Sequence, residues 1–209
     1  MSGSVIVKRS CTPPPICEKE ILRYGGCPVG GADEELLTLL RDCVAEAESR
    51  LTYQVCYREL PVSVADRICD LGVFRVASAD LCRYLADCDS VILFAATVGL
   101  ELDRLIARYG RIAPARALLM QAFGAERIEA LCDSFCAELA QEKEQEGKRV
   151  LPRYSPGYGD FSLEAQRQIF SVLDCSRQIG LSLNESLLMS PTKSVTAVVG
   201  IKREPSLIR

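Results

Sequence analysis

The chain contains no histidine among its 209 residues. Ser-His and Cys-His nucleophile pairs, H-E-x-x-H metal sites and the usual near-neutral proton shuttle are therefore absent, and hydrolysis by a triad is not expected. Basic runs are also lacking: nothing exceeds the pairs Lys8-Arg9, Lys148-Arg149 and Lys202-Arg203, and the formal net charge is -3. That balance argues against a nucleic-acid partner. The longest apolar run, 91–100, is interrupted by Thr97 and Gly99. It is about half of the roughly 20 residues needed to span a bilayer, so no membrane segment is predicted. The opening MSGSVIVKRSCTPPP has three consecutive apolar residues before a charged pair, too few for a secretion signal, and a cytoplasmic protein is expected. G-x-G-x-x-G is missing, and the glycines of GGCPVGG, 25–31, lack the Lys-Ser/Thr ending of a phosphate-binding loop. C-x-x-C is missing as well.

What is present is apolar pattern, 48% of the residues, which is ample for one core. Most of the eleven cysteines, among them Cys43, Cys56, Cys69, Cys132, Cys136 and Cys175, fall in apolar periodic segments and read as reduced, packed thiols. Cys11, Cys17 and Cys27 stand apart in a Pro/Gly-rich lead, as reactive thiols or a weak metal site, with no further soft ligand to support zinc. Residues 1–17 are expected to be loosely ordered.

Leu36, Leu37, Leu40, Val44, Ala47 and Leu51 have helical spacing behind a capping Asp33, with an end near Arg50. Tyr53, Val55 and Tyr57 alternate as in a strand, and 67–76 predicts a hairpin around Asp70-Leu71-Gly72. Ser78 caps a short helix, 91–96 is a buried strand, and Leu102, Leu105, Ile106 and Tyr109 mark another helix. A long helix is predicted over 114–146, with Leu118, Ala122, Ala125, Cys132, Cys136 and Leu139 facing a core and its polar end in water. Ser162 caps a helix with Leu163, Gln166, Ile169, Phe170 and Leu173, closed by Gly180, and Leu163, Ile169, Phe170 and Leu173 are assigned to the core. Strands over 181–188 and 195–201 then flank the turn Ser190-Pro191-Thr192-Lys193. Helices and strands are grouped rather than alternating, which predicts an α+β fold with a largely antiparallel sheet in a single domain.

Chemistry concentrates around the loop Arg153-Tyr154-Ser155-Pro156-Gly157-Tyr158-Gly159-Asp160-Phe161. Glycine and proline fix unusual backbone geometry there, while arginine and tyrosine are costly to order without a partner. On the long helix Glu126, Glu129 and Asp133 fall at i, i+3 and i+7, so their carboxylates share one edge. That edge is either solvated or functional. A guanidinium from Arg153 across a cleft from it would match the carboxylate and ammonium of an amino acid.

The segment RYSPGYGDF, a capped helix, IGLSLNES and then SPTKSVTAVVGI resemble the activation domain of cobalamin-dependent methionine synthase. The likeness is greater to the free-standing activation proteins of that family, and runs from about Ile21-Leu22-Arg23-Tyr24-Gly25 through LFAATVGLELDRLI to VVGIKREP, that is, over 18–209 as one domain. It implies a single α+β domain with a bent, mainly antiparallel sheet flanked by helices, one of them long. It also implies S-adenosylmethionine bound at an Arg-x-x-x-Gly-Tyr loop, which Arg153, Gly157 and Tyr158 match. By this resemblance Arg153 holds the methionine carboxylate, main-chain groups of Ser155, Gly157 and Tyr158 hold the rest, and Asp133 stands where the family has a glutamate for the amino group. Val198 and Val199 stand where full-length synthases carry bulky aromatics, so one ligand-facing aromatic fewer is expected.

The implied role is that of an accessory subunit in the reductive remethylation of cob(II)alamin on a separate methionine synthase core, with a flavodoxin-like electron donor. Cobalamin would be met only through that partner, and Glu129 or Glu126 would touch it. Two other readings keep the same ligand: service to another corrinoid methyltransferase, or a non-catalytic sensor or interaction module.

Overall fold

The computed structural model describes residues 5–28 and 30–203, so the first four residues of the lead, Val29 of the glycine loop and the end of the 18–209 span lie outside the described residues. Within the segment expected to be loose, Val7–Ser10 form β1 and pair antiparallel with β2, Gln54–Pro61. Arg9 anchors this edge: its guanidinium donates to the Tyr57 hydroxyl at 2.7 Å and to Glu142 at 2.9 Å. Between them lie α1 (Glu18–Tyr24) and α2 (Glu34–Ala47), the latter capped by the Asp33 carboxylate, which accepts from the Leu36 N–H at 2.8 Å.

A small sheet of β3 (Ser63–Ala65), β4 (Ile68–Asp70) and β5 (Arg75–Ala77) follows, turning at Asp70 to Gly72 as the sequence predicts. Ser78 caps α3, Ala79–Leu85. The central strand is β6, Ser90–Thr97, buried at every position after the first. A strand apolar on both faces needs cover on both sides, and the rest of the chain supplies it. Next come α4 (Glu101–Ile112), the 31-residue α5 (Pro114–Glu144) and β7 (Lys148–Val150). The chain then forms α6 (Ala165–Leu173), α7 (Cys175–Ile179), β8 (Ser182–Leu183), β9 (Met189–Ser190) and β10 (Ser194–Arg203). Every neighbouring pair in the main sheet, ordered β1-β2-β6-β10-β7, is antiparallel, and the sheet curls into a half-barrel.

Alternation along β6 and β10 splits the interior in two. Ile92, Phe94, Ala96, Ala197 and Val199 meet α2, α4 and α5 on one face. Val91, Leu93, Ala95 and Val198 meet α3, α6, α7 and the small sheet on the other. On α4 and α5 the contact is close enough to require Gly124, where a Cβ would stand 2.4 Å from the Leu102 Cδ2.

Several sequence expectations shift, among them Leu163, which is 40% exposed and precedes α6 rather than packing in the core, and Ser162, since the N-cap of α6 is Glu164. Leu118 is 57% exposed rather than core-facing, because mid-helix α5 is enclosed by helices and sheet together and its apolar positions do not form one stripe. Its polar end is not all in water: Lys143 is buried, donating to Glu59 at 2.9 Å. The helix after Ser162 breaks at Asp174, where φ is 47°. The strand expected over 181–188 is reduced to β8, because Asn184 turns the chain by accepting the Leu188 N–H at 2.9 Å. All eleven cysteines are free. Among the described residues, no helix is long and apolar enough to cross a membrane.

Candidate functional site

After β7 the chain runs beside β10, with the Leu151 N–H donating to the Gly200 carbonyl at 2.9 Å and Tyr154 exchanging both backbone bonds with Val198 at 2.9 and 2.8 Å. It then leaves the strand and closes a tight loop. The Gly157 N–H donates to the Phe161 carbonyl at 2.7 Å, with φ of 96° at Gly157. Phe161 is buried and stacks on Tyr154 with ring centroids 6.0 Å apart, and Tyr154 stacks in turn on Tyr84 at 5.4 Å. Asp160 docks the loop on α3: Ser78 donates to it from its hydroxyl, and the N–H groups of Ala79 and Asp80 from 2.7 and 3.1 Å. Those bonds hold the Asp160 carboxyl below the usual carboxylate range. At Gly159 φ is 55°, and a Cβ would displace the Asp80 carboxylate and the Tyr154 hydroxyl, so glycine suits this corner. The richness of the loop is thus partly structural: Tyr154, Gly159, Asp160 and Phe161 fasten it, and present Arg153, Ser155 and Tyr158 outward.

A cleft of about 290 Å³ opens between this loop, α5, α6 and the start of β10. That lies near the lower end of the roughly 300 to 1,000 Å³ of small-molecule sites. Arg153, Ser155, Tyr158 and Glu129 line it, together with Tyr154 and Pro156. The Arg153 Nη2 lies 2.6 Å from the Glu129 Oε2 and 3.0 Å from the Asp133 Oδ1. Burial opposes the charged guanidinium, but Cys132, Glu129 and Asp133 around it prevail and raise its pKa further. Burial also pushes the adjacent Cys136 thiol up to about 11, so it stays protonated at neutral pH. Glu129 and Asp133 are 40% and 73% exposed, Glu129 lining the cleft and Asp133 lying outside it.

Three expected residues sit differently. Asp133 faces the adjoining groove beside Pro14, Tyr24 and Ala137 and reaches the cleft only through the guanidinium. The Gly157 and Tyr158 N–H groups are engaged within the loop, the latter by the Ser155 carbonyl at 3.3 Å, so the turn shapes the wall rather than offering donors. Glu126 does not share the solvated edge. It is 4% exposed, is bound by the fully buried Arg127 at 2.5 Å and accepts the Cys17 N–H at 3.2 Å. Residues 14–17 cross over α5 at that point and remove it from any partner surface, because Arg127 also donates to the Pro14 and Pro15 carbonyls.

Val198 and Val199 are both fully buried, one in each core, so β10 faces the cleft instead with Ser194, Val195 and Thr196. Met189, Gln166 and these β10 residues escaped the sequence reading. For Gln166 the signal was there, since an amide occupies the apolar face of α6 that carries Ile169 and Leu173.

Fold and cleft together define an α+β domain in which an aromatic-walled cleft is bordered by a guanidinium paired to two carboxylates. The chain belongs to the family of the activation domain of vitamin B12-dependent methionine synthase, whose model matches residues 74–206, well over half of its length. A crystal structure of the MetH reactivation domain bound to AdoHcy is similar in fold, with a TM-score of 0.67 over 94% of this chain and 78% of that one at 15% identity. No curated protein matches the sequence.

Proposed function

We propose that this protein binds S-adenosylmethionine in the cleft at Arg153 and supports reductive remethylation of cob(II)alamin on a separate cobalamin-dependent methionine synthase. The observation that carries the reading is the guanidinium of the Arg-x-x-x-Gly-Tyr loop, held between Glu129 and Asp133 at 2.6 and 3.0 Å. Among the described residues Nη2 carries both the hydrogen bond to Glu129 and the ion pair with Asp133, and the rest of the fork would serve a carboxylate. The two acids would take the ammonium, so both charges of an amino acid are answered at one end. Family membership and the AdoHcy held by the fold neighbour support the same ligand class.

The sulfonium methyl is already activated for attack, so the protein has to orient it and needs no general base. In the absence of histidine that is the chemistry this chain suits. One electron from a flavodoxin-like donor would reduce the partner's cobalamin, which then accepts the methyl group and leaves S-adenosylhomocysteine. Glu129, which touches Arg153 directly and is 40% exposed, would serve the ligand end and remain open to the partner.

Methylcobalamin formation, followed by absorbance, tests the reading. The mixture is a cobalamin-loaded synthase core, S-adenosylmethionine and a one-electron reductant, with and without this protein. Methylation that depends on the protein is expected. Methylation that proceeds equally without it, or with no synthase core but another corrinoid protein, overturns the assignment to methionine synthase.

A further inference from the structure

Two polar atoms in the wall of the cleft have no hydrogen-bond partner among the described residues: the Gln166 Oε1 and the Thr196 Oγ1. Gln166 is 6% exposed and Thr196 2%, and both line the cleft, one from α6 and one from β10. Unpaired buried carbonyls and hydroxyls are rare because the desolvation is not offset. Packing does not require them either, since valine or methionine would fill the same space without the penalty. Other polar groups nearby are already matched. The Ser194 hydroxyl bonds the Thr97 hydroxyl at 2.9 Å and the Pro191 carbonyl at 2.8 Å, and the Tyr154 hydroxyl donates to the Tyr158 carbonyl at 3.1 Å.

We infer that Gln166 and Thr196 are specificity-determining residues that bind the ribose cis-diol of the nucleoside. The inference rests on the ligand class proposed above and adds which part of that ligand these residues read. A carbonyl acceptor and a hydroxyl lining one cleft complement two adjacent hydroxyls: one would donate to the Gln166 Oε1, and its neighbour would accept from Thr196. If the Gln166 amide is turned over, its N–H meets a diol oxygen equally well. Placement agrees. Thr196 lies two residues along β10 from Val198, the bridge partner of Tyr154, on the same face and about 7 Å further in the direction in which the loop leaves toward Ser155. The diol would therefore fall on the far side of Tyr154 from the amino-acid end at Arg153.

Calorimetry on the full chain with S-adenosylhomocysteine and its 2′,3′-dideoxy analogue tests this. Two hydrogen bonds correspond to a loss of roughly tenfold to a hundredfold for the dideoxy compound on the wild-type protein. The double variant Gln166→Met, Thr196→Val should lose about as much toward S-adenosylhomocysteine and discriminate the two compounds by less than about threefold. Its unliganded melting temperature should equal or exceed that of the wild type, because unpaired buried polar atoms have been removed. A purely structural role predicts the reverse, a lower melting temperature with discrimination retained. If the wild type binds both compounds equally, the diol assignment falls while the ligand class stands. If it binds neither, both fall.

Discussion

Arg127 has no exposed surface, yet its guanidinium is engaged on three sides. It binds Glu126 through Nε and Nη2 at 2.5 Å each, and donates to the carbonyls of Pro14 and Pro15 at 2.7 and 2.8 Å. Burial disfavours the charged guanidinium, but the hydrogen bond and charge of Glu126 prevail and raise its pKa. Replacing one member of such a pair leaves the other as an unpaired buried charge, at a cost of about 3–5 kcal/mol. Arg127→Met should therefore lower stability by about that amount in urea unfolding, and Glu126→Gln combined with it should recover much of the loss. A single variant within about 1 kcal/mol of the wild type would refute this account. The same residues show where helical spacing reaches its limit. It placed Glu126, Glu129 and Asp133 on one edge, but what covers Glu126 is a segment more than a hundred positions earlier in the chain, which no local period encodes. Arg153 stood out for the opposite reason, because the nine residues from Arg153 to Phe161 are chemically unusual in themselves.

At the scale of elements, the end of α5 is clasped to the sheet by Lys143, which lies 2.9 Å from Glu59 on β2 and 3.1 Å from Glu146. Burial opposes the Glu59 charge, but the Ser90 hydroxyl at 2.7 Å and Lys143 prevail and hold its carboxyl below the usual range. A carboxyl with a folded pKa below its unfolded value, about 4.3, stabilises the fold above that value and ceases to as pH falls through the folded one. Glu59→Gln should accordingly lower the urea midpoint at pH 7, and the gap from the wild type should narrow at acid pH, as pH falls below the usual carboxylate range. A gap of equal size at neutral and acid pH would show that the carboxyl's charge is not what matters. Elements with strong local signals, such as the Asp33 and Ser78 caps, the hairpin at Asp70 and the apolar β6, were legible in the sequence. Those that depend on distant partners were not. β1 exists because β2 offers a free edge and Arg9 reaches α5, and 181–188 shortens to β8 because the Asn184 side chain competes for the backbone.

For the whole molecule, the half-barrel and its two cores fix the positions of α5, α6 and β10, and the cleft forms where the loop after β7 crosses them. A ligand that binds there and not to the unfolded chain stabilises the fold by mass action, about 2.7 kcal/mol at a hundred times its Kd. A domain of this size gains roughly 2–4 °C per kcal/mol, so S-adenosylhomocysteine at that excess should raise the melting temperature by roughly 5–11 °C. Arg153→Ala removes a charge-assisted contact of about 1.5–3 kcal/mol, a loss of roughly tenfold to more than a hundredfold in affinity. At the same ligand concentration its shift should fall to less than half that of the wild type. Because Arg153 also joins the loop to Glu129 and Asp133 of α5, the variant's own unliganded melting temperature is the reference for that shift. Equal shifts in the two proteins would mean that the nucleoside binds elsewhere on the half-barrel, and that the paired guanidinium serves only to join the loop to α5.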